Sequence, residues 1–212
     1  MTRLGPSRRV RFAGRAINNL VAFAPWTWPL LRPIVTRFFD ASAQGWDERI
    51  EPDSPRHLAP IEAALAHTGR SPQRILDVGT GTGAAALMLA DRFPGADVVG
   101  IDVAPDMIAR ARQKVAQRRS SARFEVADIS RLRSPADFDL IAMLNMPPFF
   151  EPLSDLLAPG GYVVHASSSG AHTPFYTSPA ALRRGFARRG LETVASGSAG
   201  DSTYFVARRP PA

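Results

Sequence analysis

The fold of this chain is decided by the stretch Ile75-Leu76-Asp77-Val78-Gly79-Thr80-Gly81-Thr82-Gly83. Its apolar beginning predicts a buried strand over 74–78, and the largely apolar residues 84–93 that follow predict a buried helix. Glycines between a strand and a helix permit a tight turn and a close approach of the backbone to a ligand. The helix N-terminus offers unpaired N–H groups to an anion. The stretch therefore predicts a strand–loop–helix unit with a ligand at the loop.

The alternation of strands and helices continues on the C-terminal side of this unit. Strands are predicted over 97–103, 122–129, 138–145 and 161–166, and helices over 105–119, 150–158 and 178–190. The last two strands, 191–196 and 203–208, are joined by a link too short for a parallel crossover, so they must form a hairpin. The pattern predicts an α/β protein with a seven-stranded, mostly parallel sheet that contains a C-terminal antiparallel hairpin strand.

Residues 1–53 form an extension that precedes this domain, which we place at 54–209. Ser54-Pro55 marks the boundary, because serine is a good N-cap and proline suits the first helical position. The extension begins with a basic run, continues through the uncharged residues 16–31, and is predicted to form helices over about 12–24 and 30–39. The basic residues are Arg3, Arg8, Arg9, Arg11 and Arg15.

Two functions for this extension are open. Asn18, Asn19 and Pro25 argue against a signal peptide, and the uncharged stretch is shorter than the ~20 residues that span a membrane. We interpret the extension as a lid over the domain. The second interpretation is a peripheral membrane contact, with arginines near anionic headgroups and tryptophans at the interface.

The composition limits the chemistry that the chain can perform. The absence of cysteine excludes disulfides, thiolate zinc sites and cysteine nucleophiles, and it suits a cytoplasmic location. The four histidines lack metal-ligand spacing, so no metal site is predicted. The net charge is +7, but the cations of the predicted helices over 105–119, Lys114 included, and 178–190 are expected on solvated outer faces. Nucleic acid is therefore not the expected partner.

An acidic residue at the end of the second strand points to an adenosine-type ligand. Asp102 follows Gly83 by nineteen residues, and a carboxylate at this place can accept hydrogen bonds from both hydroxyls of a ribose. Gly79, Gly81 and Ala84 also satisfy the G-x-G-x-x-G/A pattern of dinucleotide sites. NAD and S-adenosylmethionine both carry such a ribose, so these residues alone leave the two cofactors open.

Further motifs follow in a fixed order along the chain. They are Leu76–Gly83 with its acid two residues before the first glycine, Gly100–Ile108, Val126–Ile129, Phe138–Ile141, and Leu156–Gly161 with its Pro-Gly-Gly turn. Taken together over about residues 40–209, they resemble the class I S-adenosylmethionine-dependent methyltransferases. This resemblance implies a three-layer α/β/α Rossmann-like methyltransferase fold. The segment from Phe39 to Asp47 is also similar to the one before the first motif in small-molecule methyltransferases.

The resemblance implies a role for each matching residue. Asp77, Gly79, Thr80, Gly81 and Gly83 would surround the methionine end of S-adenosylmethionine, and Asp102 would hold its ribose. The remaining implied contacts are Val103 and Met107 beside the adenine, Asp128 and Ile129 at its amino group, and Asn145 next to the methyl donor and the acceptor. Carboxylates such as Asp77 and Asp128 also often cap helices and turns. Trp46 is either a cofactor contact or a core anchor.

One departure from the family limits what can be inferred about the acceptor. Met146 separates Asn145 from Pro147-Pro148-Phe149, which breaks the Asn-Pro-Pro pattern of enzymes that methylate exocyclic or amide nitrogens. We expect a small, apolar organic acceptor and assign no catalytic residue or oligomeric state. The alternatives are an NAD-dependent oxidoreductase, a non-catalytic cofactor-binding module and a nucleic-acid methyltransferase.

Overall fold

A computed structural model describes residues 8–69, 71–133 and 135–212 of the protein. Arg3 of the predicted basic run lies outside these residues. The helices are α1 (Arg8–Phe23), α2 (Trp28–Ala43), α3 (Trp46–Ile50), α4 (Pro55–Leu65), α5 (Ala84–Arg92), α6 (Pro105–Arg118), α7 (Phe150–Leu156) and α8 (Pro179–Ala187). The strands are β1 (Arg74–Val78), β2 (Asp97–Asp102), β3 (Arg123–Val126), β4 (Phe138–Leu144), β5 (Leu157–Ser167), β6 (Glu192–Ala199) and β7 (Ser202–Arg208).

These strands form one sheet in the order β3-β2-β1-β4-β5-β7-β6. The pairs among β1 to β5 are parallel, whereas β7 is antiparallel to both β5 and β6. The predicted sheet, with its C-terminal hairpin, is therefore confirmed. Because the chain moves outward from β1 in one direction and then crosses to β4 on the other side, a crevice opens at the carboxyl ends of β1 and β4.

Several elements end at other residues than the sequence predicts. β5 begins at Leu157 rather than 161, because Leu157 pairs with Phe138 before a bulge in β5. β3 ends at Val126 rather than 129, because Asp128 caps a short 3-10 turn by accepting a hydrogen bond from the Ser130 N–H. In the extension, α1 is already helical at Arg8, the first residue described, and α2 runs on to Ala43. Local hydrogen bonds and pairing across the sheet set these ends, and hydrophobic periodicity does not report them.

The core consists of two apolar layers, one on each face of the sheet. Along β1, Ile75 belongs to one layer whereas Leu76 and Val78 belong to the other, as the alternation of a strand requires. The Ile75 layer contains residues of α4, α5 and α6, and the Leu76 layer contains residues of α7 and α8. The predicted three-layer α/β/α arrangement follows from this packing.

The extension packs on the Leu76 side of the sheet. Val21 and Trp28 are buried within that layer, with 1% and 5% of their surface exposed. Asn18 is also buried and donates a hydrogen bond from Nδ2 to Thr177 Oγ1 at 2.9 Å. Among the described residues, no helix has the length and apolarity needed to cross a membrane. The inward sides of α1 and α2 thus complete the core of the domain.

The boundary between the extension and the domain has the predicted cap. Ser54 precedes α4 in an extended conformation, and its hydroxyl accepts a hydrogen bond from the His57 N–H at 3.3 Å. Pro55 occupies the first helical position. The cap fixes where α4 starts, and α4 then packs against the layer that contains Ile75.

Candidate functional site

The loop after β1 lies at the crevice and is held by β2. The N–H groups of Gly79 and Thr80 donate to the carbonyl of Ile101, at 2.9 and 3.0 Å. Gly79 and Gly81 have φ angles of 70° and 55°, which side-chain-bearing residues rarely adopt. A Cβ on Gly81 would meet no atom within 4 Å, so space for a ligand adjoins the backbone there. A Cβ on Gly79 would lie 2.6 Å from Met146 Sδ.

Asp102 ends β2 next to this loop. Its Oδ2 accepts a hydrogen bond from the Gly81 N–H at 2.9 Å, and its Oδ1 accepts one from the Ala104 N–H at 2.9 Å. Burial raises the pKa of this carboxyl, whereas the backbone hydrogen bonds oppose that rise. Each carboxylate oxygen has a second lone pair, so one hydroxyl can bind to each. These two free acceptor positions fit the two hydroxyls of a ribose.

Asp77 lies inside β1, beneath the loop, with 1% of its surface exposed. Its Oδ2 accepts hydrogen bonds from Thr80 Oγ1 at 2.6 Å and from the Ala86 N–H in the first turn of α5 at 3.1 Å. Burial raises the pKa of Asp77 to about 7, and the nearby Asp102 adds to the rise. The carboxyl therefore links the loop to the first turn of α5, as a helix cap does. It is also a titratable group beneath the place expected for the methionine end of the cofactor.

Asp128 is covered by the extension. Trp28 Nε1 donates to its two carboxylate oxygens at 3.0 and 3.1 Å, and an Arg32 guanidinium nitrogen lies 3.5 Å from Oδ2. Ser130 donates to Oδ1 from its N–H at 3.0 Å and from its hydroxyl at 2.7 Å. The carboxylate that the resemblance assigns to the adenine amino group thus already has four donor groups. Sequence reasoning missed Trp28, although a buried tryptophan N–H needs a partner.

The other residues expected beside the adenine are packed in apolar surroundings. Met107 has none of its surface exposed and packs in a cluster with Ala43, Phe39 and Trp46. Trp46 stands edge-to-face with Phe39 at a ring distance of 5.6 Å. Both rings pack against the cluster that contains Met107, so in this structure Trp46 helps to hold the extension on α6. Ile129 is buried in the Leu76 layer, and Val103 is half-buried against the same layer.

Asn145 follows β4 and is held in a left-handed conformation with φ at 56°. Its Nδ2 donates to Ser168 Oγ at 2.8 Å, and its Oδ1 accepts from the Ser168 N–H at 2.9 Å. The amide is therefore bound to the end of β5. Met146, the residue that breaks the Asn-Pro-Pro pattern, has its sulfur against Gly79.

His165 stabilises the same segment from within β5. Its Nε2 lies 3.0 Å from the carbonyl oxygen of Met146, and burial lowers the pKa of its imidazole to about 4. A carbonyl only accepts hydrogen bonds, so the neutral imidazole donates its Nε2–H. His172, in contrast, is exposed.

A polar cluster joins the extension to the glycine loop on its other side. Thr82 Oγ1 donates to Asp47 Oδ1 at 2.6 Å. Lys114 Nζ lies 3.0 Å from Asp47 and 2.9 Å from Asp53, with 13% of its side chain exposed. The prediction that Lys114 lies on a solvated face is therefore wrong, because its ammonium reaches carboxylates of the extension; Arg119 of the same set is exposed. No group of metal-ligating side chains occurs in the described parts of the chain.

Known proteins share the fold of this chain. A family profile for a methyltransferase domain matches residues 75–161. A solved S-adenosylmethionine-dependent methyltransferase from Aquifex aeolicus superimposes with a TM-score of 0.64 at 21% identity, covering 74% of this chain and 95% of that one. The chain carries a class I, Rossmann-like S-adenosylmethionine-dependent methyltransferase domain. The resemblance and the cofactor expected from the sequence are confirmed at the level of this family, whereas the roles of individual residues stay predictions.

Curated relatives of this methyltransferase domain are longer than the region matched. A demethylmenaquinone methyltransferase from Deinococcus radiodurans is 35% identical over 159 residues, which are 71% of this chain and 59% of the relative. A tRNA adenine N6-methyltransferase from Porphyromonas gingivalis is 44% identical over 98 residues, which are 43% of this chain and 37% of the relative. The chain spans roughly half the length of such relatives.

Proposed function

We propose that the protein transfers a methyl group from S-adenosylmethionine to a small, apolar organic acceptor. The proposal rests mainly on the geometry of Asp102. Each of its two carboxylate oxygens accepts one backbone N–H hydrogen bond, next to the open space beside Gly81. When bound, S-adenosylmethionine supplies a methyl group activated by a sulfonium charge. The protein's contribution is then chiefly to position the reactants, which in favourable cases lowers a barrier by about 7–11 kcal/mol.

The residues of the crevice would divide the binding of this cofactor among them. Asp102 binds the ribose hydroxyls, and the loop from Gly79 to Gly83 lines the methionine end above Asp77. Val103, Met107 and Ile129 would form the apolar wall for the adenine once the extension has moved, since Met107 and Ile129 are buried in this structure. Asp128 accepts from its amino group once Trp28 has turned away.

The extension acts in this proposal as the lid of the domain at 54–209. Its α2 helix reaches Asp128 through Trp28 and Arg32, and its Asp47 reaches Thr82 of the glycine loop. Between them, α2 and Asp47 therefore contact both ends of the expected cofactor crevice. A lid that excludes water favours methyl transfer, because water would otherwise compete for the activated donor.

The acceptor class is inferred from the surface at the end of β4. The half-buried Met146 gives this surface an apolar character, and the Asn145 amide is bound to Ser168 rather than free to hold an amino group. The curated relative from Deinococcus radiodurans is named for demethylmenaquinone, an acceptor of the expected apolar class. We place the reaction in the cytoplasm, since a chain without cysteine suits a reducing compartment.

The test is a transfer assay with methyl-tritiated S-adenosylmethionine and three acceptor classes: demethylmenaquinone analogues, small polar amines, and tRNA. We expect label in the quinone-type acceptors and none after the Asp102→Ala substitution. The exposed neighbour Asp106 provides a matched control, since Asp106→Ala should retain the activity. Label in tRNA alone would overturn the proposed acceptor class, and no label in any acceptor with a folded, cofactor-binding protein would contradict the proposed catalysis.

A further inference from the structure

The outward sides of α1 and α2 form an exposed apolar surface. Among the described residues, eight of the ten exposed large hydrophobic side chains lie between residues 12 and 50. We call seven of them the outward surface: Phe12, Leu20, Phe23, Trp26, Leu30, Ile34 and Phe38. Trp26 and Leu30 have 76% and 78% of their surface exposed. So many large apolar side chains in one segment indicate a binding surface rather than scattered exposure.

The apolar side of the helix α2 is wider than the part that the core covers. Leu30, Ile34 and Phe38 recur every four residues on the outward side, whereas Trp28, Leu31 and Val35 pack against the core. A surface helix normally turns an apolar side of about 100° towards the core, whereas at about 100° per residue these six side chains of α2 span about 160°. The core covers the inward side of α2, so the outward side requires another occupant.

The same segment carries the whole net charge of the protein. Residues 1–39 contain seven arginines and no acidic residue, and the remainder of the chain contains equal numbers of basic and acidic residues. Arg37, between Ile34 and Phe38 in the sequence, is exposed. The outward surface therefore lies in a positively charged segment, and its occupant is expected to be negatively charged.

We propose that the outward surface docks onto an anionic lipid bilayer, with α1 and α2 lying in the headgroup plane. Apolar and aromatic side chains enter the interface of a bilayer, while arginines attract anionic headgroups. Trp26, in the turn between the two helices, has the amphipathic ring that such interfaces favour. A second copy of the chain fits less well, because a two-fold contact would bring two segments of like charge together.

The proposal is tested by sedimenting the full-length protein with sucrose-loaded vesicles. The vesicles consist of phosphatidylcholine alone or of phosphatidylcholine with phosphatidylglycerol, each at low and at high salt. We expect binding to the mixed vesicles, at least tenfold weaker binding to pure phosphatidylcholine, and a loss with salt. Arg37→Gln should weaken binding to the mixed vesicles by about fivefold, the contribution of one basic residue near an anionic surface.

A double substitution, Leu30→Glu with Ile34→Glu, should weaken binding to the mixed vesicles by at least tenfold. Both side chains are exposed, so the fold should survive, and the melting temperature checks this. The matched control is Val194→Glu on β6, where a valine that is 43% exposed lies outside the outward surface, and its binding should not change.

Three results would overturn the proposal. They are no binding of the wild type, equal binding to both kinds of vesicle, and unchanged binding of the double variant. Light scattering in the absence of vesicles adds a separate readout. A dimer that dissociates in the double variant, without any vesicle binding by the wild type, would instead assign the outward surface to a second copy.

Discussion

Replacing Trp28 by phenylalanine should strengthen cofactor binding. In the structure, the Trp28 indole N–H is shared between Oδ1 of Asp128 at 3.0 Å and Oδ2 at 3.1 Å. Oδ1 also receives both donors of Ser130, whereas Oδ2 otherwise receives only a distant Arg32. If the adenine amino group binds Asp128, it must take the place of the indole N–H on Oδ2. Phenylalanine removes that donor and keeps an aromatic ring beside Phe149, which Trp28 now contacts edge-to-face at 5.2 Å.

The size of the effect follows from the hydrogen bond that is lost. A hydrogen bond to a charged group contributes about 1.5–3 kcal/mol, and every 1.4 kcal/mol corresponds to roughly tenfold in affinity. We expect an effect near the lower end of this energy range, because water and Arg32 can partly replace the indole N–H as donors to Asp128. S-Adenosylhomocysteine should therefore bind Trp28→Phe about tenfold more tightly by isothermal titration calorimetry. The protein itself should lose on the order of 1–2 kcal/mol of stability.

A matched tryptophan in the same segment provides the control. Trp26 is 76% exposed, so Trp26→Phe should leave the affinity for S-adenosylhomocysteine unchanged. An unchanged affinity in a folded Trp28→Phe variant would refute the competition between the indole and the adenine. A weaker affinity would mean that Trp28 forms part of the cofactor wall.

Three further predictions concern stability. Because the folded pKa of Asp77 is raised to about 7, the folded state holds this proton more tightly than the unfolded state and loses stability as pH rises from about 4 to 7. Urea unfolding of Asp77→Asn should thus show stability that increases relative to wild type over this range, by up to about 4 kcal/mol. The pKa of His165 is lowered to about 4, so its contribution is lost as pH falls from 6.5 toward 4, and His165→Gln should gain stability relative to wild type on acidification. Ser54→Ala should lower the free energy of unfolding by about 1 kcal/mol at every pH, since it removes the N-cap of α4.

The sheet could be predicted from the sequence because each strand is marked by features of its own stretch of sequence. Buried strands such as β1 are short apolar runs that end in glycine, and the short link before β7 permits nothing but a hairpin. Asp102 is likewise predictable, since its place at the end of a strand fixes its position at the edge of the sheet.

Contacts between distant parts of the chain could not be predicted in this way. Trp28 and Asp128 are separated by 100 residues, and their hydrogen bond depends on how α2 packs across the sheet. The same holds for Lys114, which lies on the polar side of α6 yet reaches Asp47 and Asp53 because the extension folds over that helix. Helix periodicity shows which side of a helix points away from the core, but it does not show which other part of the chain packs against that side.

We expect the crevice at Asp102 to bind S-adenosylmethionine and not NAD. The most direct test is calorimetric titration of the wild type, Asp102→Ala and Asp106→Ala with S-adenosylhomocysteine and, separately, with NAD. Loss of two hydrogen bonds to a charged acceptor, each worth about 1.5 kcal/mol, should weaken S-adenosylhomocysteine binding by roughly 100-fold in Asp102→Ala alone. We expect saturable binding of S-adenosylhomocysteine and no binding of NAD; binding of NAD, or equal affinities in the wild type and Asp102→Ala, would contradict the account.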